Sequence, residues 1–305
     1  MNFLDKINQK AAEAVAAGAD QTKSVKGGGV DIPVAPAGPC KLRFISYIEL
    51  GMQAGTFQGK PTVKEKVLLG FEISGPKYQP TILDDGTKVP YRVSIEENYS
   101  LNEKSNFFKL FTRMNYAGKA QHMAQLLGEA YKGELVHRKY AKKTDPKDDP
   151  SKWTGIAVEL RPKGGDYTIA PPRYQPVDPE TGDPIGDVKM LPVDPAISDI
   201  RGFIWDQADM DQWNSLFIDG EYPERKDDKG NVTAPAKSKN VFQAMIMKAK
   251  NFKGSPIEAL LIAGGKPLDI PDAETASDEH EEAAPAVQAK PVTEAQKADA
   301  LAGIA

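Results

Sequence analysis

The 305-residue sequence predicts a mainly β protein with helical additions, an α+β fold. Three observations lead there. Apolar residues alternate with period two in several stretches between Pro39 and Leu160. Stripes of helical period interrupt that alternation after Ser100 and return after Asp199. Between the two regions, residues 171–198 carry seven prolines in 28 positions, a composition suited to an extended linker or strap.

Residues 1–36 begin with Phe3, Leu4, Ile7, Ala11, Ala14 and Val15 at helical spacing, a short amphipathic helix that KGGGVDIPVAPAGP ends. KGGG is not a phosphate loop, because no Gly-Lys-Ser/Thr follows at the required distance. The globular part is expected at 37–170. In its first strand Leu42, Phe44, Ile48 and Leu50 face one way, and Lys41, Arg43, Ile45, Tyr47 and Glu49 the other. The loop GMQAGTFQGKPT leads to a second strand, with Val63, Val67, Leu69, Phe71 and Ile73 set against Lys64, Lys66 and Glu72. After the turn LDDGTK a third strand alternates Val89, Tyr91, Val93 and Ile95 with Arg92 and Ser94. SLNEKSNFFKLFTRM then places Ser100 and Glu103 at capping-box spacing ahead of a helical stripe of Phe107, Phe108, Leu110, Phe111 and Met114. A second short helix, AQHMAQLLG, stops at Gly128.

YKGELVHRKYAKK, residues 131–143, reads as a fourth strand and WTGIAVELR as a fifth, with Ile156, Val158 and Leu160 on one face. Five strands with a helix between the third and fourth is the order of an OB-like five-stranded barrel with a helical insert. Past the linker, residues 199–265 form a small, mostly helical module. Its last helix has Ser255 as N-cap, Pro256 at the first position, Glu258 completing a capping box and Gly264 as stop. Residues 266–305 are rich in Ala, Glu, Asp and Pro, with almost nothing large to bury, and are expected to be a disordered acidic tail.

Charge is divided along the chain. The net charge is −4, yet residues 37–170 hold 21 Lys or Arg against 15 Asp or Glu, a net of +6. Residues 171–305 hold 14 against 24, a net of −10, of which 269–305 supply −7. A cationic domain suggests a polyanionic ligand. No apolar run reaches the roughly 18 residues of a membrane span, and the first residues lack the pattern of a secretory signal, so the expected location is the cytoplasm. The single cysteine, Cys40, rules out an internal disulfide and reads as a small core residue.

The arrangements that enzymes use are missing from the linear sequence. His122, His137 and His280 form no HExxH or zinc-deaminase pattern, no nucleophile elbow is present, and Asp178, Asp183 and Asp187 match no calcium loop. Neither a cofactor nor a metal is expected, and the expectation is a protein without enzymatic activity. The 131–143 stretch, by contrast, gathers five Lys or Arg against one Glu and brackets them with Tyr131 and Tyr140. Cations for phosphates and exposed rings for unpaired bases are what a groove for single-stranded nucleic acid needs. The candidate phosphate contacts are Arg43, Lys64, Lys66, Arg92, Arg138, Lys139, Lys142 and Lys143, and the candidate stacking rings are Tyr47, Phe57, Tyr140 and Trp153.

At YSLNEKSNFFKLF followed by AQLLGEAYKGELVHRKY, and at KVLLGFEIS upstream, residues 37–170 resemble bacteriophage single-stranded DNA-binding proteins of the OB-fold type. The resemblance implies a sequence-tolerant protein that coats and protects single-stranded DNA in phage replication or recombination. It also implies an acidic C-terminal tail that recruits a polymerase, primase-helicase or nuclease. Tails of that family commonly finish in an aromatic residue after the acidic run, whereas this chain ends KADALAGIA. Residues 171–265 lie outside the resemblance and are candidates for homo-oligomerisation. Two rival readings are a virion or scaffold protein that self-assembles through the 199–265 module, and a metal-dependent nuclease.

Overall fold

The computed structural model describes residues 33–83, 85–142, 145–226 and 230–264. The expected N-terminal helix and acidic tail lie outside the described residues. Within them, a sheet is built from β1 (Gly38–Phe57), β2 (Lys60–Ser74), β3 (Tyr91–Asn98), β4 (Ala130–Tyr140) and β5 (Gly155–Glu159) in the spatial order β3-β2-β1-β4-β5. All of these pairs are antiparallel. Helix α1 (Asn106–Met114) connects β3 to β4, together with a single 3-10 turn at Met123–Leu126 that Gly128 ends at φ 84°.

The barrel expected from the strand order is not closed. Among the described residues no ladder joins β3 to β5, the two edge strands. Side chains fill the gap: Tyr167 donates to Glu97 Oε1 at 2.6 Å, and Arg161 Nη1 lies 3.5 Å from the same oxygen. Burial, followed by the Glu97 charge, pushes the Tyr167 hydroxyl well above the usual phenol range, so it stays a donor.

One face of the sheet holds the first core. Val67, Leu69, Phe71 and Ile73 of β2, Val93 and Ile95 of β3, and Tyr131 and Leu135 of β4 meet Phe107, Leu110 and Met114 of α1. Each such side chain contributes about 1.5–3 kcal/mol when fully buried. Cys40 is buried here too, which pushes its thiol up to about 12. The cap of α1 falls later than its sequence suggests. Ser105, not Ser100, accepts from the Phe108 amide, while Ser100 and Asn102 shape the preceding turn.

Two β-bulges in β1 change which residues are inside. Phe44 pairs with Phe71 but Ser46 pairs with Gly70, so Ile45 is an extra residue and the alternation reverses after it. Leu42 and Phe44 therefore share the first core with Tyr47, while Ile48 and Leu50 turn to the opposite face. A second shift follows between Glu49 and Gly51. Gly51 sits at φ 69° with the Trp205 ring over it, where a Cβ would lie 2.4 Å from that ring.

Ile48 and Leu50 seed a second core with residues of the C-terminal region. Strand β6 (Arg201–Phe203) pairs in parallel with Ser46–Ile48, on the edge of β1 that β4 has left after Arg43. Helices α2 (Met210–Ser215), α3 (Val241–Met247) and α4 (Pro256–Ala263) then pack Trp213, Ile246, Ile257 and Leu261 against Phe203, Trp205 and Leu50. The expected N-cap of α4 forms, with Ser255 accepting from the Glu258 amide and Gly264 following the last turn. The Glu258 carboxylate accepts from the Gly254 amide and so does not complete a capping box on Ser255. Residues 199–264 thus share both a strand edge and a core with β1. Between α2 and α3 lies a ribbon absent from the sequence reading, in which Glu221–Tyr222 pairs with Lys237–Ser238 and Arg225–Lys226 with Val232–Ala234.

The proline-rich segment runs as a strap. It is held by Arg43, which donates to the carbonyls of Val193 and Asp194, and by Glu72, which accepts from the amides of Ile197 at 2.8 Å and Ser198 at 2.7 Å. Lys132 donates to the Arg173 carbonyl at 2.6 Å. Within the strap Arg173–Tyr174 pairs with Lys189–Met190 as a short ribbon, and because its prolines leave few amides for a longer ladder, side chains of the sheet add to its anchorage.

Candidate nucleic-acid interface

Two hairpins carry most of the candidate residues. The expected loop at 51–62 is instead a continuation of β1 and β2, which pair as far as Phe57 and Lys60 around the two-residue turn Gln58–Gly59. Both turn residues have positive φ, 50° and 73°, the geometry that matches the twist of a tight hairpin. β3 pairs with β2 only as far as Lys66, so beyond it the hairpin projects as a two-stranded arm. Thr56, Lys60, Val63 and Lys64 are exposed on the arm. The Lys64 ammonium lies 5.5 Å from the centroid of the half-buried Phe57 ring. Lys60, one residue past the turn, joins this group; its signal in the sequence was the Gln58–Gly59 turn itself.

The second hairpin joins β4 to β5. Arg138, Lys139 and Tyr140 lie opposite Ala157, Ile156 and Gly155. Tyr140 is 36% exposed, and its ring covers Gly155, where an added Cβ would lie 2.7 Å from it. In the connecting loop the Asp145 carboxylate accepts from the amides of Thr154 at 2.7 Å and Lys142 at 3.0 Å. Those amides hold the Asp145 carboxyl below the usual aspartate range. Trp153 is half-buried and its indole donates to the Pro146 carbonyl at 3.1 Å. Lys139 and Lys142 are exposed, and Arg138 pairs with Glu159 at 2.7 Å. Lys143 lies outside the described residues.

The remaining candidates are placed elsewhere. Tyr47 is fully buried and donates to Glu49 Oε1 at 2.7 Å, so it offers no face for stacking. The bulge at Ile45 is the reason, since it turned the ring from the outer side to the core. Arg43 is engaged by the strap and by the Gly128 carbonyl at 2.8 Å, which corrects its assignment as a phosphate contact. Lys66 forms an ion pair with Glu96 on the outer face of the sheet. Arg92 is exposed on the same face of β3, in register with Glu72.

The two hairpins are not one trough in the ladder. Gly38 at the start of β1 pairs with Leu135, which places Tyr140 beyond that end, whereas Phe57 closes the other end of the 20-residue strand. Among the described residues no group of three or more His, Cys, Asp or Glu side chains converges in a way that could hold a metal ion. No described helix is long and apolar enough to cross a membrane. Neither a family model, a curated protein nor a solved structure matches this chain.

Proposed function

We propose that this chain is a non-enzymatic, sequence-tolerant single-stranded DNA-binding protein with an OB-like sheet, serving phage replication or recombination by coating displaced strands. One observation carries the reading. The exposed candidate cations and rings fall mainly on the β1–β2 and β4–β5 hairpins of a sheet ordered β3-β2-β1-β4-β5, with α1 between β3 and β4. In an OB-fold, which is itself only partly closed, those two connections flank the bound oligonucleotide. Lys60, Lys64, Lys139 and Lys142 would meet phosphates, and Phe57, Tyr140 and the exposed part of Trp153 would meet bases at about 1–3 kcal/mol each. Stacking tolerates any base, hence the lack of sequence preference. The acidic segment 269–305 competes for the same lysines when DNA is absent and is released to polymerase, primase-helicase or nuclease partners when DNA binds.

The test is a fluorescence-anisotropy titration of the full chain with labelled oligo-dT and with duplex at two salt concentrations. Tight, salt-sensitive binding of oligo-dT over duplex is expected, with a log–log slope of about −0.7 per phosphate neutralised. Deleting 269–305 tightens it. Equal affinity for duplex, or none for either, overturns the reading, and magnesium-dependent destruction of the oligonucleotide would establish a nuclease instead. A self-assembling scaffold is the second reading. It draws on the 199–265 module, where Phe217, Tyr222, Val232 and Ile262 are large, apolar and exposed.

A further inference from the structure

Residues 229–257 contain six lysines and no Asp or Glu, inside a region whose overall charge is strongly negative. Five of them, Lys237, Lys239, Lys248, Lys250 and Lys253, are among the described residues. The fold sets part of this run against the base of the β1–β2 arm. The Lys250 amide donates to the Met52 carbonyl at 2.7 Å, and the Met52 amide donates to Asn251 Oδ1 at 2.8 Å. One residue on, Gln53 Nε2 donates to the Met245 carbonyl of α3 at 3.0 Å. Lys250 and Lys253 are exposed beside a strand that reaches Phe57 and the Lys60 turn a few residues later.

At the other end of α3 the chain leaves through the ribbon of residues 221–238. Lys237 is exposed there, and Lys239 Nζ lies 5.6 Å from the centroid of the Tyr222 ring, itself 56% exposed. The pairing repeats that of Lys64 with Phe57 on the arm. In the chain the run is flanked by Asp227 and Asp228, which lie outside the described residues, then Glu224 and Glu221 before it and Glu258 after it. Glu224 pairs with Lys226 at 2.7 Å and Glu258 accepts from the Gly254 amide. Glu65 lies across from Met52 in the ladder, and burial followed by the charges of Glu49 and Asp206 pushes its carboxyl upward.

We infer that these exposed lysines, with Tyr222, form a second contact surface for single-stranded nucleic acid, which a strand reaches by continuing past the arm. The inference rests on the proposed function and adds to it a longer footprint and a role for the C-terminal module. Its ligand is the phosphate backbone, met by Lys237, Lys250 and Lys253, with a base against Tyr222.

Binding of the full chain to a short and a long oligo-dT, about 10 and about 40 nucleotides, tests it. The triple variant Lys237→Gln, Lys250→Gln, Lys253→Gln is expected to lose about tenfold or more on the long strand. Its salt slope there should shrink by about 2, from three contacts at 0.7 each. The short strand should bind as it does to wild type. Tyr222→Ala should also weaken only the long strand, and both variants should melt as wild type does. Wild-type affinity and slope on the long strand overturn the inference while leaving the proposed function in place. A loss equal on both lengths overturns it as well, because the lysines would then belong to the first site. Failure of wild type to bind either strand removes the proposed function and this inference together.

Discussion

The β1–β2 arm and the β4–β5 hairpin both combine lysine with aromatic rings, and the sheet treats them differently. On the arm the described cations Lys60 and Lys64 stand exposed, with Phe57 beneath Lys64 and, among the described residues, no third strand alongside. The β4–β5 hairpin is internally tied: Arg138 to Glu159, Trp153 to the Pro146 carbonyl, Tyr140 onto Gly155, and the loop onto Asp145. Residue type alone therefore does not define a contact. A cation with a carboxylate partner must surrender that partner to bind phosphate, whereas a solvated ammonium releases only water and counterions. The arm is the more responsive surface, and the β4–β5 hairpin the more preorganised one.

The sharpest way to break that distinction uses two rings on the same strand. Tyr47→Ala should destabilise the fold by about 3–5 kcal/mol, as large aromatic deletions in cores do, seen as a lower denaturation midpoint. Phe57→Ala should leave the midpoint near wild type and weaken DNA binding by about 1–3 kcal/mol. A stable Tyr47→Ala protein with impaired binding would show that Tyr47 stacks after all. A smaller contrast separates the cations. Lys60→Gln with Lys64→Gln should reduce the salt slope by about 1.4, from two contacts at 0.7 each, while Arg138→Gln changes it by less than one contact because Glu159 already holds that charge. Equal effects would erase the difference between the hairpins. The smallest effect concerns Asp145. Its carboxyl titrates below the ordinary value of 3.8, so its contribution to the β4–β5 loop is complete at neutral pH and fades as pH falls through the lowered value. The melting temperature of Asp145→Asn should accordingly lie below wild type at pH 7, and the gap should close on acidification below about pH 4. A gap that persists in acid would mean that the loop does not depend on the carboxylate charge.

Much of the fold was legible because its signals are local. Val67, Leu69, Phe71 and Ile73 announce a half-buried strand by period two alone, Phe107, Leu110 and Met114 a helix face, and Ser255-Pro256 with Gly264 a capped helix. Period two could not show the ribbon at 221–238, whose strands are only two or three residues long, with Pro223 and Pro235 in the stretches between them. Summing charge over 171–305 hid the lysine run within it.

By itself the sequence determined the order of the five sheet strands and α1, the segregation of charge, and the composition of the strap, since each follows from residues adjacent in the chain. Tertiary structure alone decided which of those residues remain available. A single inserted residue, Ile45, moved Tyr47 into the core, and a strap some 150 positions away engaged Arg43. Pairing of Met52 with Lys250 and Asn251 brought a distant lysine run to the arm. The physical reason is that alternation reports a side chain's direction only relative to its neighbours. Burial and partnership depend on ladder register and on contacts between segments that the linear order leaves far apart.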